Sequence, residues 1–194
     1  MCSFVYLQGS ELKNRVVFYD FSEIGKNVPN RLVGGFDDEF QGDMVPRVTY
    51  MGDPYSCAFS GKALTFFSSR NLASPELVEQ RAIDERIDSV FYSDEYAAAI
   101  VRNTTGEYGS RLEVYKKDGT HVLSKEFNFE YTNADLDGDL IILYNEDSCR
   151  IYNMSGTEKL DAAFDFPVSK IRKGRFPGTL VVTGPQQMRE LKLR

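Results

Sequence analysis

Short apolar segments separated by turn residues recur along the whole chain. Residues 111–129 and 148–166 show one pattern of apolar and polar positions, repeated at a spacing of 37 residues. The matched pairs are Tyr115 with Tyr152, Gly119 with Gly156, Leu123 with Leu160, Phe127 with Phe164 and Phe129 with Phe166. Each copy contains a strand pattern, a tight turn with glycine and a second strand pattern, which predicts a β-hairpin.

Two further apolar segments precede each hairpin. They are residues 87–92 and 96–101, then 131–136 and 139–144, and after the second hairpin 168–172 and 179–183. Each unit therefore predicts four short strands in a meander, with about 40 residues per unit, the length of WD40-like repeats and other β-propeller blades. We predict an all-β fold, a β-propeller-like array of four-stranded antiparallel blades.

The units place blades at about residues 45–84, 87–129 and 131–166. Residues 1–40 and 167–194 each supply a partial blade, so residues 1–194 form a single β-propeller-like domain of about four to five blades. Two arrangements stay open. Either the first strands complete the last blade in a small ring, or the chain is the C-terminal part of a larger ring. An incomplete ring exposes strand edges and invites self-association.

The segment around residues 74–83 fits two structures. Ser74 followed by Pro75 resembles the start of a helix, with serine as the N-cap. The segment also occupies the position of residues 120–129 in the next unit. Because the repeat position is the stronger argument, we predict a strand.

Composition narrows the possible partners. The 23 Lys and Arg residues against 29 Asp and Glu give a net charge of −6, which argues against nucleic acid binding. The longest apolar runs, at residues 96–101 and 140–144, are far shorter than the roughly 20 residues needed to cross a bilayer, so we predict no membrane insertion by this chain. Three cysteines without a CxxC motif predict neither a disulfide framework nor structural zinc.

The segments 87–101, 111–119 and 140–159 carry a family resemblance. They resemble an uncharacterised family of propeller-like domains of unknown function from Gram-positive bacteria, over about residues 45–193. The resemblance implies that the full-length protein is extracytoplasmic and membrane-anchored, and that this chain is a C-terminal portion without the anchor or the first blades. No catalytic residues come with the family.

Three alternating carboxylates are the only candidate metal ligands. Asp135, Asp137 and Asp139, with Glu146 at the twelfth position, have the spacing of an EF-hand calcium loop. That loop needs glycine at its sixth position, whereas Leu140 stands there at the start of an apolar strand. We therefore interpret Asp137 and Gly138 as a hairpin turn and predict no cofactor, with calcium as the alternative.

Catalytic residues are not predicted. The single histidine, His121, matches Glu158 in the next unit, so we expect an exposed position and no catalytic triad. Asp37, Asp38 and Glu39 have the pattern of a solvated loop. Whether the protein is an enzyme stays uncertain, and the sequence favours a non-enzyme.

A basic cluster gives the last candidate site. Lys170, Arg172, Lys173 and Arg175 form a possible patch for an anionic ligand, or one polar face of a strand. Our first hypothesis is a non-enzymatic β-propeller module that binds a protein or cell-envelope ligand. The alternative is a carbohydrate-active hydrolase or lyase that uses acidic residues on a propeller face.

Overall fold

The computed structural model describes residues 1–8, 10–21, 31–40, 43–104 and 107–193. Within these residues, eighteen strands form five antiparallel sheets, which we name A to E in chain order. Sheet A contains β1 (Cys2–Gln8), β2 (Glu11–Tyr19) and β3 (Leu32–Phe36), and a short 3-10 turn (Asp38–Phe40) follows it. Sheet B contains β4 (Arg47–Tyr50), β5 (Tyr55–Phe59), β6 (Ala63–Ser68) and β7 (Glu76–Ala82).

The other three sheets continue this order. Sheet C contains β8 (Ile87–Tyr92), β9 (Tyr96–Arg102), β10 (Ser110–Lys116) and β11 (His121–Phe127). Sheet D contains β12 (Asn133–Asp137), β13 (Leu140–Tyr144), β14 (Ser148–Asn153) and β15 (Glu158–Ala163). Sheet E contains β16 (Lys170–Lys173), β17 (Thr179–Thr183) and β18 (Met188–Lys192). The prediction of an all-β array of four-stranded meanders is confirmed.

The segment that fitted both a helix and a strand is a strand. β7 pairs with β6 and alternates exposed and partly buried residues along its length. Ser74 closes the preceding loop, because its backbone amide donates to the Asn71 carbonyl at 3.1 Å. The local serine and proline signal therefore marks a loop, and the sheet determines the conformation of the residues that follow.

Consecutive sheets pack face to face through apolar side chains. Because side chains alternate along a strand, neighbouring residues serve different interfaces. Phe67 lies between sheets A and B, whereas Phe66 lies between sheets B and C, where Tyr115 also packs. Tyr152 belongs to the core between sheets C and D, and Cys149 to the core between sheets D and E.

A β-bulge recurs in sheets A to D. The register between the last two strands shifts at Phe18/Tyr19, Phe66/Phe67, Val114/Tyr115 and Ile151/Tyr152. β2 and β3 therefore have the pairing geometry of the third and fourth strands of the complete sheets. Sheet A lacks the equivalent of a first strand within the described residues, and sheet E lacks the equivalent of a fourth.

The outer side of sheet E is open within the described residues. β18 is mostly exposed, whereas the corresponding third strands β10 and β14 are largely buried. No strand pairing joins sheet A to sheet E among the residues that the structure describes. A search of those residues also finds no helix long and apolar enough to span a membrane.

Candidate functional site

The candidate metal ligands and the candidate basic patch lie against each other. Asp135 and Asp137 are in β12, and β16 of the next sheet carries Lys170 and Lys173. The Lys170 ammonium pairs with Asp135, and the Lys173 ammonium pairs with Asp139. The backbone amide of Lys173 donates to Asp137 Oδ2 at 2.8 Å. We name these five residues the Asp–Lys cluster.

Electrostatics favour the charged forms of Asp139 and Lys170. The hydrogen bond from Lys173 lowers the pKa of Asp139, and it outweighs the opposing effect of burial. Burial acts to lower the pKa of Lys170, but hydrogen bonding and attraction to Asp135 raise it overall. The lysines thus neutralise two of the three carboxylates that the calcium alternative needs. In the part of the chain that the structure describes, no group of three or more His, Cys, Asp or Glu side chains is arranged to hold a metal ion.

The other two residues of the predicted patch are differently placed. Arg172 and Arg175 are exposed, and neither forms an ion pair with any described residue. Arg172 lines a small cavity of about 190 Å³ together with Asp135, Asp137 and Lys170. Arg175 lines a larger cleft of about 580 Å³ at one edge of sheets D and E. Lys170 and Arg172 thus line the smaller cavity, whereas Lys173 and Arg175 line the larger cleft.

His121 takes part in a network on the outer strands of sheet C. Its Nε2 lies 3.0 Å from Glu113 Oε2, and its side chain is about half exposed, at 46%. Glu113 is buried and also accepts hydrogen bonds from Ser124 Oγ at 2.9 Å and Arg111 Nε at 2.6 Å. Ser124 and His121 both contact the carboxylate. Activation of a serine nucleophile would need a hydrogen bond between the serine and the histidine, and no such bond is present within the described residues.

Two cysteine side chains serve packing. Cys57 in sheet B and Cys149 in sheet D are buried free thiols. Burial raises the pKa of Cys149 to about 12 and also raises that of Cys57. Both thiols are therefore protonated at neutral pH, where the thiolate is the reactive form.

Sequence reasoning missed an aromatic cleft between sheets A and B. Tyr19, Phe21, Tyr50 and Leu72 surround a cavity of about 220 Å³. Phe21, Tyr50 and Leu72 are 56%, 59% and 54% exposed. The Tyr19 and Phe21 rings stack with centroids 6.2 Å apart. β2 ends at Tyr19, so Phe21 lies outside the sheet and beside the cleft.

The aromatic cleft and the 580 Å³ cleft occupy equivalent edges of their sheets. In an antiparallel meander, the connection between strands one and two lies at the same end as the connection between strands three and four. In sheet B, Tyr50 ends β4 at the connection between strands one and two, and Leu72 lies in the connection between strands three and four. Asn153 ends β14 at the connection between strands three and four of sheet D, and Arg175 lies in the connection between strands one and two of sheet E. We name this end the turn edge.

The fold is similar to solved WD40-type β-propellers. Sqt1 of Saccharomyces cerevisiae matches with a TM-score of 0.52 and 12% identity, over 85% of this chain and 50% of that one. Hsv2 of Kluyveromyces marxianus matches with a TM-score of 0.51 and 12% identity, over 93% and 52%. HIRA residues 644–1017 match with a TM-score of 0.51 and 10% identity, over 74% and 48%. The chain is therefore β-propeller-like and spans about half the length of these structures.

Sequence comparisons give a family but no characterised relative. A search of curated proteins returned no match. A family model described as a family of unknown function (DUF5711) matches residues 1–193, which is nearly the whole chain.

Proposed function

The chain belongs to the DUF5711 family, and we propose that it is a non-enzymatic β-propeller module that binds a protein partner through the aromatic cleft. One observation supports this proposal above the others. Four of the large hydrophobic side chains that are exposed in the described residues, Tyr19, Phe21, Tyr50 and Leu72, lie around a single cavity. Clustered apolar exposure is typical of interaction sites, whereas scattered exposed residues are ordinary.

The residue types favour a protein partner. Tyrosine is enriched among the side chains that contribute most to protein interfaces, because a large rigid ring loses little conformational entropy on binding. The hydroxyl groups of Tyr19 and Tyr50 make no hydrogen bond to another residue that the structure describes, so both can pair with polar groups of a partner. The cleft thus offers apolar area and hydrogen-bonding groups together.

The floor and wall of the cleft are held in place by the fold. Phe18, at the floor, is buried and packs edge-on against Phe67 with ring centroids 5.4 Å apart. On the wall, the Ser69 amide and hydroxyl both donate to the Pro54 carbonyl, at 2.8 and 3.0 Å. A preformed site loses less conformational entropy on binding than a flexible one. Given the resemblance to a Gram-positive family located outside the cytoplasm, we propose a partner in the cell envelope.

Quantitative capture tests the proposal. The wild-type chain and a Phe21→Ala/Tyr50→Ala variant are immobilised and exposed to a detergent extract of the envelope of the source organism. Proteins that bind the wild type are then purified and titrated against both chains. We expect the double variant to bind such a protein at least about 30-fold more weakly, the effect of losing one interface hot spot.

A matched variant controls for general stickiness. Met188→Ala removes an exposed apolar side chain from sheet E, far from the aromatic cleft in the sequence, and should leave the affinity unchanged. Equal affinity of the wild type and the double variant for every captured protein would contradict the proposal, provided that circular dichroism shows both chains to be folded.

A further inference from the structure

The 580 Å³ cleft at the turn edge of sheets D and E is a second candidate site, which we name the basic cleft. Its lining includes Lys159, Lys173, Arg175, Phe176, Leu140 and Leu193. Its volume lies within the roughly 300 to 1,000 Å³ of typical ligand sites. It contains both exposed cations and apolar side chains, unlike the mostly polar cavity beside Arg172.

Positive charge exceeds negative charge in the basic cleft. Among the residues that the structure describes, Lys159, Lys173 and Arg175 line it, together with a single carboxylate, that of Asp139. Asp139 pairs with Lys173, so two cations are left over. Neither Lys159 nor Arg175 forms an ion pair with another residue that the structure describes. Because the chain as a whole carries a net charge of −6, this local excess runs against the composition.

An apolar surface adjoins these charges. Phe176 is 62% exposed at the rim of the basic cleft. Leu140 is almost fully buried and contributes to its floor, and Leu193 contributes to its wall. A bare inorganic anion would leave the Phe176 ring in water. The combination therefore favours an anionic ligand that also carries an apolar group.

Backbone hydrogen bonds fix the rim. The Gly174 amide donates to the Thr179 carbonyl at 2.8 Å, and the Thr179 hydroxyl donates to the Phe176 carbonyl at 2.8 Å. The Leu193 amide donates to the Gly178 carbonyl at 2.7 Å and ties the end of β18 to the same turn. Phe176 is thus exposed on a backbone that is already ordered, which reduces the entropy lost on binding.

We infer that the basic cleft binds an acidic peptide segment in which an apolar side chain lies next to carboxylates. Arg175 has the planar guanidinium that pairs with a carboxylate through two parallel hydrogen bonds, and Lys159 offers a second positive charge. Phe176 packs against the apolar side chain. This inference concerns a different surface and a different ligand chemistry from the aromatic cleft, so either can fail without the other.

Three acetylated and amidated tripeptides test the inference by titration calorimetry at low salt. The first is Glu-Leu-Glu, the second replaces both acids with glutamine, and the third replaces leucine with glycine. We expect the first to bind most tightly, and its affinity to fall when added salt shortens the screening length to roughly 3 Å. Equal affinity for the glutamine or the glycine peptide would overturn the inference. Inorganic phosphate that binds as tightly as the first peptide would also overturn it in favour of a general anion site.

Charge-neutralising variants locate the site. Arg175→Gln and Lys159→Gln should each weaken binding of the Glu-Leu-Glu peptide about tenfold, as expected for one charge-assisted hydrogen bond. Arg172→Gln changes the net charge equally but lies outside the basic cleft, and it should leave the affinity within about twofold. An equal loss in all three variants would show non-specific attraction and contradict the inference. All three positions are at least partly exposed, so unchanged thermal unfolding is expected.

Discussion

Glu113 and Arg150 hold the same position in successive sheets and anchor networks of opposite charge. Glu113 lies opposite Ser124 in the strand register and accepts its hydrogen bond, while Arg150 lies opposite Asp161 and donates to it at 2.6 Å. In sheet B, the register equivalent is Thr65, whose hydroxyl accepts from the Gln80 amide at 3.1 Å. Sheets B, C and D therefore each have a polar cross-strand pair at this position, whereas sheet A has Val17 opposite Gly35.

Removing the Glu113 carboxylate should destabilise the protein strongly. Glu113→Ala leaves Arg111 Nε and Ser124 Oγ without their acceptor in a largely buried place. We expect the free energy of unfolding to fall by about 3 kcal/mol, the usual cost of breaking a buried ion pair. Urea denaturation followed by circular dichroism measures it.

Glu146→Ala is the matched control for this change. Glu146 is exposed, and its side chain has no hydrogen bond within the described residues. Its removal should change the unfolding free energy by no more than about 0.5 kcal/mol. If both substitutions cost the same, the network of Glu113 does not stabilise sheet C.

The repeat made much of the fold predictable from sequence. Tyr115 and Tyr152 mark the third strands, and the alignment of residues 74–83 with a strand of the next unit correctly outweighed the local helix signal of Ser74. Such inferences succeed because each sheet must present the same faces to its two neighbours. Residues that recur at equivalent positions therefore report packing rather than function.

The clefts were not predictable in this way. The pairing of Lys170 with Asp135 joins residues 35 positions apart, and no local pattern marks it. The aromatic cleft combines the end of β2 with a loop of sheet B. Phe21 and Leu72 are therefore distant in the sequence and come to line one cavity only in the folded chain. Sequence alone interpreted the acids and the cations as two independent candidates, whereas contact between sheets D and E makes them one cluster.

The turn glycine of sheet C is required by its contact with sheet B. Gly119 has a φ of +83°, and a Cβ there would lie 2.5 Å from Glu79 Cβ and 3.1 Å from Phe66 Cδ2. Gly178 has a similar φ of +71°, but a Cβ there would meet nothing within 4 Å. Gly178→Ala should cost about 1 to 2 kcal/mol for the left-handed backbone alone.

Gly119→Ala adds a steric clash to that backbone cost, so we expect at least about 1 kcal/mol more destabilisation than for Gly178→Ala. Thermal and urea unfolding of the two variants give the difference directly. Equal costs would mean that the contact between the sheet C turn and sheet B is loose enough to absorb a methyl group.

Asp118 should make stability depend on pH. Its Oδ1 accepts a hydrogen bond from the Thr120 amide at 2.9 Å, and this bond lowers the pKa of the carboxyl. Since the folded pKa lies below the unfolded value of about 3.9, the stabilisation is complete above that pH and is lost as the pH falls through the folded pKa. Asp118→Asn should therefore be less stable than the wild type at pH 7, with the difference disappearing in acid.

Urea denaturation of both proteins across this pH range measures the difference. Asp84→Asn is the control, because Asp84 is exposed and makes no side-chain hydrogen bond within the described residues. A gap between wild type and Asp118→Asn that stays constant with pH would contradict the proposed role of the carboxylate.

Hydrogen exchange should show weak protection of β18, the outer strand of sheet E. Among the described strands, β18 pairs only with β17, whereas β14 pairs with both β13 and β15. Local opening of an exposed edge strand needs less free energy than opening of a central strand. We expect backbone amides of β18 to exchange at least about 100-fold faster than those of β14. This ratio corresponds to a difference of roughly 3 kcal/mol in opening free energy.

Equal protection would mean that another strand covers this edge. The covering strand could then belong to a second copy or to the same chain. Hydrogen exchange and sedimentation at several protein concentrations separate these cases. Protection that grows with concentration indicates a second copy, and protection in a monomer indicates closure within one chain.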